Sequence, residues 1–318
     1  MPIRNYPAWK RASDWVYGAL TQGQWPGRLA WTVNPRADVG VEEHRILVRA
    51  GLPAGASLRI GYASDFHAGP ATPWPLIEAA VEQLDRLRAD VLLLGGDFVS
   101  IDPRRAGRLG HLLGTVHAPL GRFAVLGNHD HWAGASTVVA HLQNAGIEML
   151  TNRAIGLPHP FDNVSVCGLD DHMSGEPDAE RAFADAREVR VVLMHAPSGL
   201  LDVGENPFDV ALCGHTHGGQ IALPDGRPIV VASGALSGRY NAGRYSLGLH
   251  RTLLVSRGVG CGTLPIRWNS PSTVSLCCLS SDPKAGQHLS SPHSSRRAPQ
   301  STRDSVSHRD RRGSEPGK

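Results

Sequence analysis

Long apolar runs are missing from this sequence. In 318 residues no stretch approaches the roughly 18 consecutive apolar residues of a membrane-spanning helix. The absence predicts a chain without a transmembrane segment. A signal-peptide core is missing from the first thirty-one residues as well. Cysteine is scarce: there are five, and none falls in a CxxC pair, which argues against a thiolate zinc site. Cys167 and Cys213 lie inside apolar runs and read as small buried hydrophobes, so a reduced compartment fits best. A charge excess is also lacking where it would matter. Eight of the 32 Lys/Arg and four of the 29 Asp/Glu lie beyond residue 280, leaving 24 basic against 25 acidic residues before it. A neutral body gives no nucleic-acid footprint.

Hydrophobic residues make up 41% of the chain, enough for a substantial core. The pattern divides it into an N-terminal extension (1–40), a folded unit (41–280) and a polar, basic tail (281–318). The tail has no apolar periodicity and reads as disordered. The extension holds Trp9, Trp15, Trp25 and Trp31 among basic residues. Packing onto the domain is the plainer use of these tryptophans, and peripheral membrane contact is the other. The expected location is the cytoplasm, with any membrane contact at its inner face. Within the folded unit, HRILVRA, LRIGYAS, VLLL, RFAVLG, VSVCGL, VRVVLM and FDVALC read as strands, and so do PIVVAS, GLHRTLLVS and STVSLCCLS. Helices are expected from Thr72–Pro73 to about Arg88, from Ser136 to Asn144, and from Pro177 to Arg187.

Five of the strands end alike. GYAS runs into Asp65-Phe66-His67, VLLL into Gly95-Gly96-Asp97, and FAVL into Gly127-Asn128-His129-Asp130. VVLM runs into His195, and VALC into Gly214-His215-Thr216-His217. One Asp after a strand is an ordinary turn residue. Five such endings at one sheet edge, where open α/β sheets bind ligands, read as a site. Carboxylates, an amide oxygen and imidazoles suit Mn, Fe, Zn and similar ions. Seven candidate ligands exceed the needs of one tetrahedral zinc and suit two ions sharing a carboxylate.

Taken together and in this order, the five blocks resemble the calcineurin-like metallophosphoesterases. GHTHGGQI (214–221), SGRYNAG (237–243) and SRGVGCGTLPIRWNSP (256–271) are similar to a bacterial branch of membrane-associated phosphodiesterases and UDP-diacylglucosamine pyrophosphatase-like enzymes. The resemblance implies an α/β fold, a four-layer α/β/β/α sandwich of two mixed sheets. It implies two divalent ions (Mn, Zn, Fe, Ni or Mg): Asp65, His67 and His217 on the first, Asn128, His195 and His215 on the second, with Asp97 bridging. His129 would face the phosphate and Asp130 would orient it by accepting its other ring N–H. The implied reaction is hydrolysis of a phosphodiester or pyrophosphate, in a small or lipid-linked substrate, by a metal-bridging hydroxide. The competing readings are a metal-binding scaffold without turnover, and a phosphomonoesterase or lipid-phosphate hydrolase at the membrane surface. Arg257 and Arg267 could clamp phosphate bidentately, although surface ion pairing is the commoner use. His131 reads as a rim residue, with contact to substrate as its other use. STVSLCCLSSDPKAG, after Pro271, departs from the acidic, apolar ending of that branch.

Overall fold

The computed structural model describes residues 8–21, 25–33, 38–49, 51–53, 55–248 and 250–281. The expected disordered tail lies outside them, apart from Ser281. Helices α1 (Ala8–Leu20) and α2 (Trp25–Val33) precede strands β1 (Gly40–Val48) and β2 (Ser57–Ala63). Next come α3 (Trp74–Arg86), β3 (Val91–Leu94), α4 (Arg105–Gly114), β4 (Arg122–Ala124) and α5 (Asn128–Asn144). Then follow β5 (Glu148–Met149), β6 (Arg153–Gly156), β7 (Val164–Gly168), α6 (Ala179–Phe183), β8 (Val189–Leu193), α7 (Leu200–Val203) and β9 (Val210–Cys213). Strands β10 (Gly243–Ser246), β11 (Thr252–Val255) and β12 (Thr273–Ser281) complete the order.

Successive strand residues face opposite sides of a sheet, and here both sides are apolar. In β3, Val91 and Leu93 pack between two sheets, while Leu92 and Leu94 pack under α3, α4 and α5. In β9, Val210 and Leu212 face between the sheets, and Ala211 and Cys213 face the α6 side. Three buried clusters result, one between the sheets and one outside each. The fold is therefore a four-layer α/β/β/α sandwich. Each fully buried aliphatic side chain contributes about 1.5–3 kcal/mol, so packing rather than helix propensity fixes where the strands end.

The first sheet runs β1-β12-β2-β3-β4-β5 and the second β10-β11-β9-β8-β7-β6. Both are mixed, with β12 antiparallel to β2, β10 to β11, and β6 to β7. STVSLCCLS, the stretch that departs from its expected ending, forms an interior strand, since β12 lies between β1 and β2. Its Val274, Leu276, Cys277 and Leu279 are buried.

Three expectations fail. The helix expected from Ser136 begins at Asn128, and Gly134 (φ 135°) kinks it where the sequence suggested a start. Proline and glycine around residues 175–177 and the short span before β8 leave α6 only Ala179–Phe183. PIVVAS forms no strand: Ile229, Val230 and Val231 are exposed, and only Pro228 bridges, to Ala222. Hydrogen bonds join the N-terminal helices to loops near the first sheet. Tyr17 Oη donates to the Thr263 carbonyl (2.8 Å), and Gly27 N–H to that of Pro70 (3.0 Å).

Candidate metal centre

The backbone ladder continues past the ends of the strands into the polar residues. Asp65 N–H donates to Gly96 O and His67 N–H to Asp97 O, both at 2.9 Å, and Gly214 N–H donates to His195 O at 2.8 Å. To bring their side chains together, five of these residues adopt left-handed backbone: Asp65, His67, Asp97, His215 and His217, with φ between 43° and 71°. Such conformations cost on the order of 1 kcal/mol or more each and cluster where function over-determines them. Two glycines make room. A Cβ on Gly127 would strike Asp97 Oδ1 and come within 2.7 Å of His195 Cε1, and one on Gly214 would strike Asp65 Oδ2. Gly127→Ala should therefore fold less stably and lose the centre; circular dichroism melting and metal analysis would show both losses.

All seven sequence-predicted ligands come together, six of them in two groups whose donor atoms lie within 4.8 Å of one another. Asp65, His67 and His217 form one group, and Asp97, His195 and His215 the other. Asn128 joins the second, its Oδ1 3.1 Å from His195 Nε2. His67 Nε2 and His217 Nε2 are 3.0 Å apart, and His217 Nε2 is 3.6 Å from Asp65 Oδ1. The same oxygen of Asp97, Oδ2, lies 3.3 Å from His67 Nε2 and 3.4 Å from His195 Nε2. Ligand atoms that each bind an ion at about 2.0–2.2 Å sit roughly 3 Å apart. The donor set and its spacing thus fit two ions with Asp97 between them.

Second contacts point the ring nitrogens inward. His195 Nδ1 pairs with Gly95 O (2.8 Å), which leaves Nε2 for the cluster. His215 is turned the other way, with Nε2 against Ser233 O (2.8 Å) and Nδ1 3.2 Å from His195 Nε2. The Thr216 hydroxyl donates to Asn241 O, so the SGRYNAG segment ties down the GHTH turn. His215 N–H donates to the Asp65 carboxylate at 3.0 Å, and Ser64 Oγ donates to Asp65 Oδ2 at 2.5 Å. Burial pulls His67 and His217 well below the ordinary imidazole range, and Arg267 adds to this at His217. His215 is lowered by burial and by His195. These three are thus held as neutral imidazoles, the ligand form, whereas at His195 burial is outweighed by the Asp97 charge and hydrogen bond, which raise it. Burial acts against the Asp97 carboxylate, but His195 and His129 hold it well below its ordinary range.

His129 and Asp130 occupy the first turn of α5, yet they do not form the expected pair. His129 Nδ1 lies 3.2 Å from Ser100 O, and its backbone N–H donates to Asp97 Oδ1 (2.9 Å). Asp130 instead accepts N–H groups of Val99 (3.1 Å) and Gly127 (3.0 Å), closing the helix N-terminus. Burial and the Asp97 charge push its carboxyl up to about 7. The expected orienting hydrogen bond is thus corrected. Asp130 fixes the helix that carries His129, and a backbone carbonyl orients the ring.

Neither arginine is free to clamp phosphate. Arg257 pairs with Glu42 of β1. The Arg267 guanidinium donates to the Gly260, Arg257, Ser270 and His217 carbonyls, and its Nη2 lies 3.1 Å from His217 Nδ1. Burying carbonyls without donors costs about 1–3 kcal/mol each. Arg267→Ala should therefore lower stability by about 2–4 kcal/mol, read from a denaturant midpoint, and loosen His217.

A sixth strand end escaped the sequence reading. β7 runs through Leu169 into Asp170-Asp171, beside the β8 end that carries His195, because Leu169 N–H donates to Leu193 O at 2.9 Å. Leu169, not a glycine, separates the strand from these carboxylates, and the histidine that follows them, His172, turns to Asp202. An Asp-Asp after an apolar run was the feature that could have revealed it. His131 meets this loop, with its Nε2 2.9 Å from Asp170 Oδ1.

Comparison with known proteins shows the family. Residues 58–219 match the family described as calcineurin-like phosphoesterase. The chain is 31% identical to an uncharacterized metallophosphoesterase of Aquifex aeolicus, over 72% of this chain and 87% of that one. It is 29% identical to the UDP-2,3-diacylglucosamine pyrophosphatase LpxG of Chlamydia trachomatis, over 70% and 84%. Identity to the phosphodiesterase YaeI of Escherichia coli is 31%, over 64% and 76%.

Proposed function

The chain belongs to the calcineurin-like phosphoesterase family, and on that premise we propose that it hydrolyses a phosphodiester or pyrophosphate at a centre of two divalent metal ions. The observation that carries the reading is Asp97 Oδ2, one buried carboxylate oxygen facing both His67 Nε2 and His195 Nε2. Asp65, His67 and His217 would hold one ion, Asn128, His195 and His215 the other, with Asp97 shared. When bound, such ions supply Lewis acidity toward phosphoryl oxygens and a lowered pKa for water. The chain's own residues do the rest. Ser100 O and the Asp97 carboxylate fix the His129 ring and backbone, leaving Nε2 as the atom that can hold a proton for the departing oxygen. The positive end of α5 points at the same place.

Diesters and pyrophosphates are favoured over monoesters by the names of two relatives, a phosphodiesterase and a pyrophosphatase. The test is hydrolysis of bis-p-nitrophenyl phosphate against p-nitrophenyl phosphate, with Mn, Zn, Fe, Ni or Mg added to metal-stripped protein. Metal-dependent turnover that favours the diester is the expected result. Protein holding two ions but turning over neither compound with any metal would favour the scaffold reading.

A lipid-linked substrate is a second reading, favoured by one observation. Trp15 (74% exposed), Leu20 and Trp25 of the N-terminal helices and Trp268 (65% exposed) present apolar surface. The Tyr17–Thr263 hydrogen bond joins α1 to the loop that leads to Trp268. No helix of the described residues is long and apolar enough to cross a membrane. Trp and basic residues favour the headgroup boundary. Co-sedimentation with anionic vesicles should fall in Trp15→Ser/Trp25→Ser protein; equal sedimentation of the wild type and variant would contradict it.

A further inference from the structure

Helix α5 begins with two histidines, and only His129 belongs to the donor cluster. His131 reaches from the first half of the molecule to the second, where its Nε2 meets Asp170 Oδ1 at 2.9 Å. The carboxylate is fixed before the imidazole arrives. Asp170 Oδ1 accepts the Asp171 N–H and Oδ2 the Glu176 N–H, both at 2.9 Å. The backbone N–H groups of Asp170 and Asp178 in turn donate to Asn152 Oδ1, at 2.9 and 3.1 Å. This is a histidine held by a positioned carboxylate, the arrangement that the family resemblance had implied for His129 and Asp130.

Its place in the fold adjoins the second ligand group. Asp170 and Asp171 leave β7 alongside Met194 and His195. Ser233, whose carbonyl orients His215, has its hydroxyl 3.8 Å from Met173 Sδ in the same loop. Asp171 is fully buried and near enough for its charge to act on both His131 and His195. Its Oδ2 accepts the Met173 and Ser174 N–H groups, while its Oδ1 has no hydrogen-bond partner. Burial lowers the affinity of His131 for a proton, but the Asp170 hydrogen bond and the Asp170, Asp171 and Asp130 charges more than offset it. With Nε2–H committed to Asp170, the protonated ring keeps Nδ1–H as its second donor. The half-buried ring offers that nitrogen no partner among the described residues.

We propose that His131, positioned by Asp170, contacts the substrate on the His195/His215 side, donating from Nδ1 to an anionic oxygen of the leaving portion. The preferred substrate class is then one whose leaving portion carries its own phosphoryl charge, a pyrophosphate rather than a diester with a neutral leaving group. The inference rests on the hydrolase reading. A hydrogen bond to a charged group corresponds to about tenfold to hundredfold in affinity.

The test uses ADP-ribose as a pyrophosphate probe that competes with bis-p-nitrophenyl phosphate, in metal-loaded wild type, His131→Gln and Asp170→Asn. In His131→Gln the inhibition constant of ADP-ribose should rise about tenfold to hundredfold, outstripping any rise in KM for the diester. Asp170→Asn, which keeps the shape and weakens the hold, should shift it less in the same direction. Metal content per chain should stay at the wild-type value in both. An unchanged inhibition constant, equal shifts for inhibitor and diester, lost metal in both variants, or no inhibition of the wild type would overturn the proposal. No diester turnover by the wild type would instead overturn the hydrolase reading, and this inference with it.

Discussion

Asp97→Asn should lower kcat/KM for bis-p-nitrophenyl phosphate by on the order of a thousandfold or more. Losses at residues that only support a ligand run to about 10–100-fold, and Asp97 is placed to do more. Its Oδ2 faces both ligand groups, and its Oδ1 accepts the His129 N–H. Asparagine can keep the second contact. It cannot supply the negative charge that would be shared between two ions, and it leaves the buried His195 without its strongest counter-charge. Metal analysis should therefore show fewer ions per chain alongside the lost turnover. A variant with full metal content and more than a tenth of wild-type activity would contradict the bridging role.

His129→Ala should lower kcat by about 10²–10³-fold and leave both ions in place. The His129 ring packs against His67 and Trp132, with centroids at 4.7 and 4.8 Å, and Ser100 O fixes its Nδ1. Its side chain is thus held at the edge of the cluster by contacts that need no metal. Because the ring also lies within reach of His67 and Asp97, metal content is the discriminating readout. Loss of an ion would make His129 a ligand, and an undiminished kcat would remove it from the chemistry.

The centre was legible because each contributing strand closes on a short, mostly apolar run that gives way abruptly to its ligands. VLLL gives way to Gly95-Gly96-Asp97 and VALC to Gly214-His215, so the sheet edge could be read without knowing the strand order. The two-sheet sandwich followed from the family resemblance, and the three apolar clusters bear it out. What sequence could not supply were contacts between distant segments. The family resemblance implied Asp130 as the partner of His129, but a helix N-terminus claims its carboxylate. The actual imidazole–carboxylate pair joins residues 39 apart. Arg267 looked like a surface cation, and only the fold shows its guanidinium turned inward onto carbonyls and His217. PIVVAS has the composition of a strand, but only Pro228 bridges, to Ala222, and its Ile229, Val230 and Val231 stay exposed. Gly134 made one kinked helix look like a turn followed by a short helix.

Hydrolysis by two divalent ions that share the Asp97 carboxylate is what the proposed function requires. Its most direct test is to titrate Mn into metal-stripped protein, following bound metal by calorimetry and diester hydrolysis in the same samples. Saturation is expected at two ions per chain, with turnover rising as the second site fills. Full activity at one ion per chain, or two bound ions with no turnover of any phosphodiester or pyrophosphate, would contradict it.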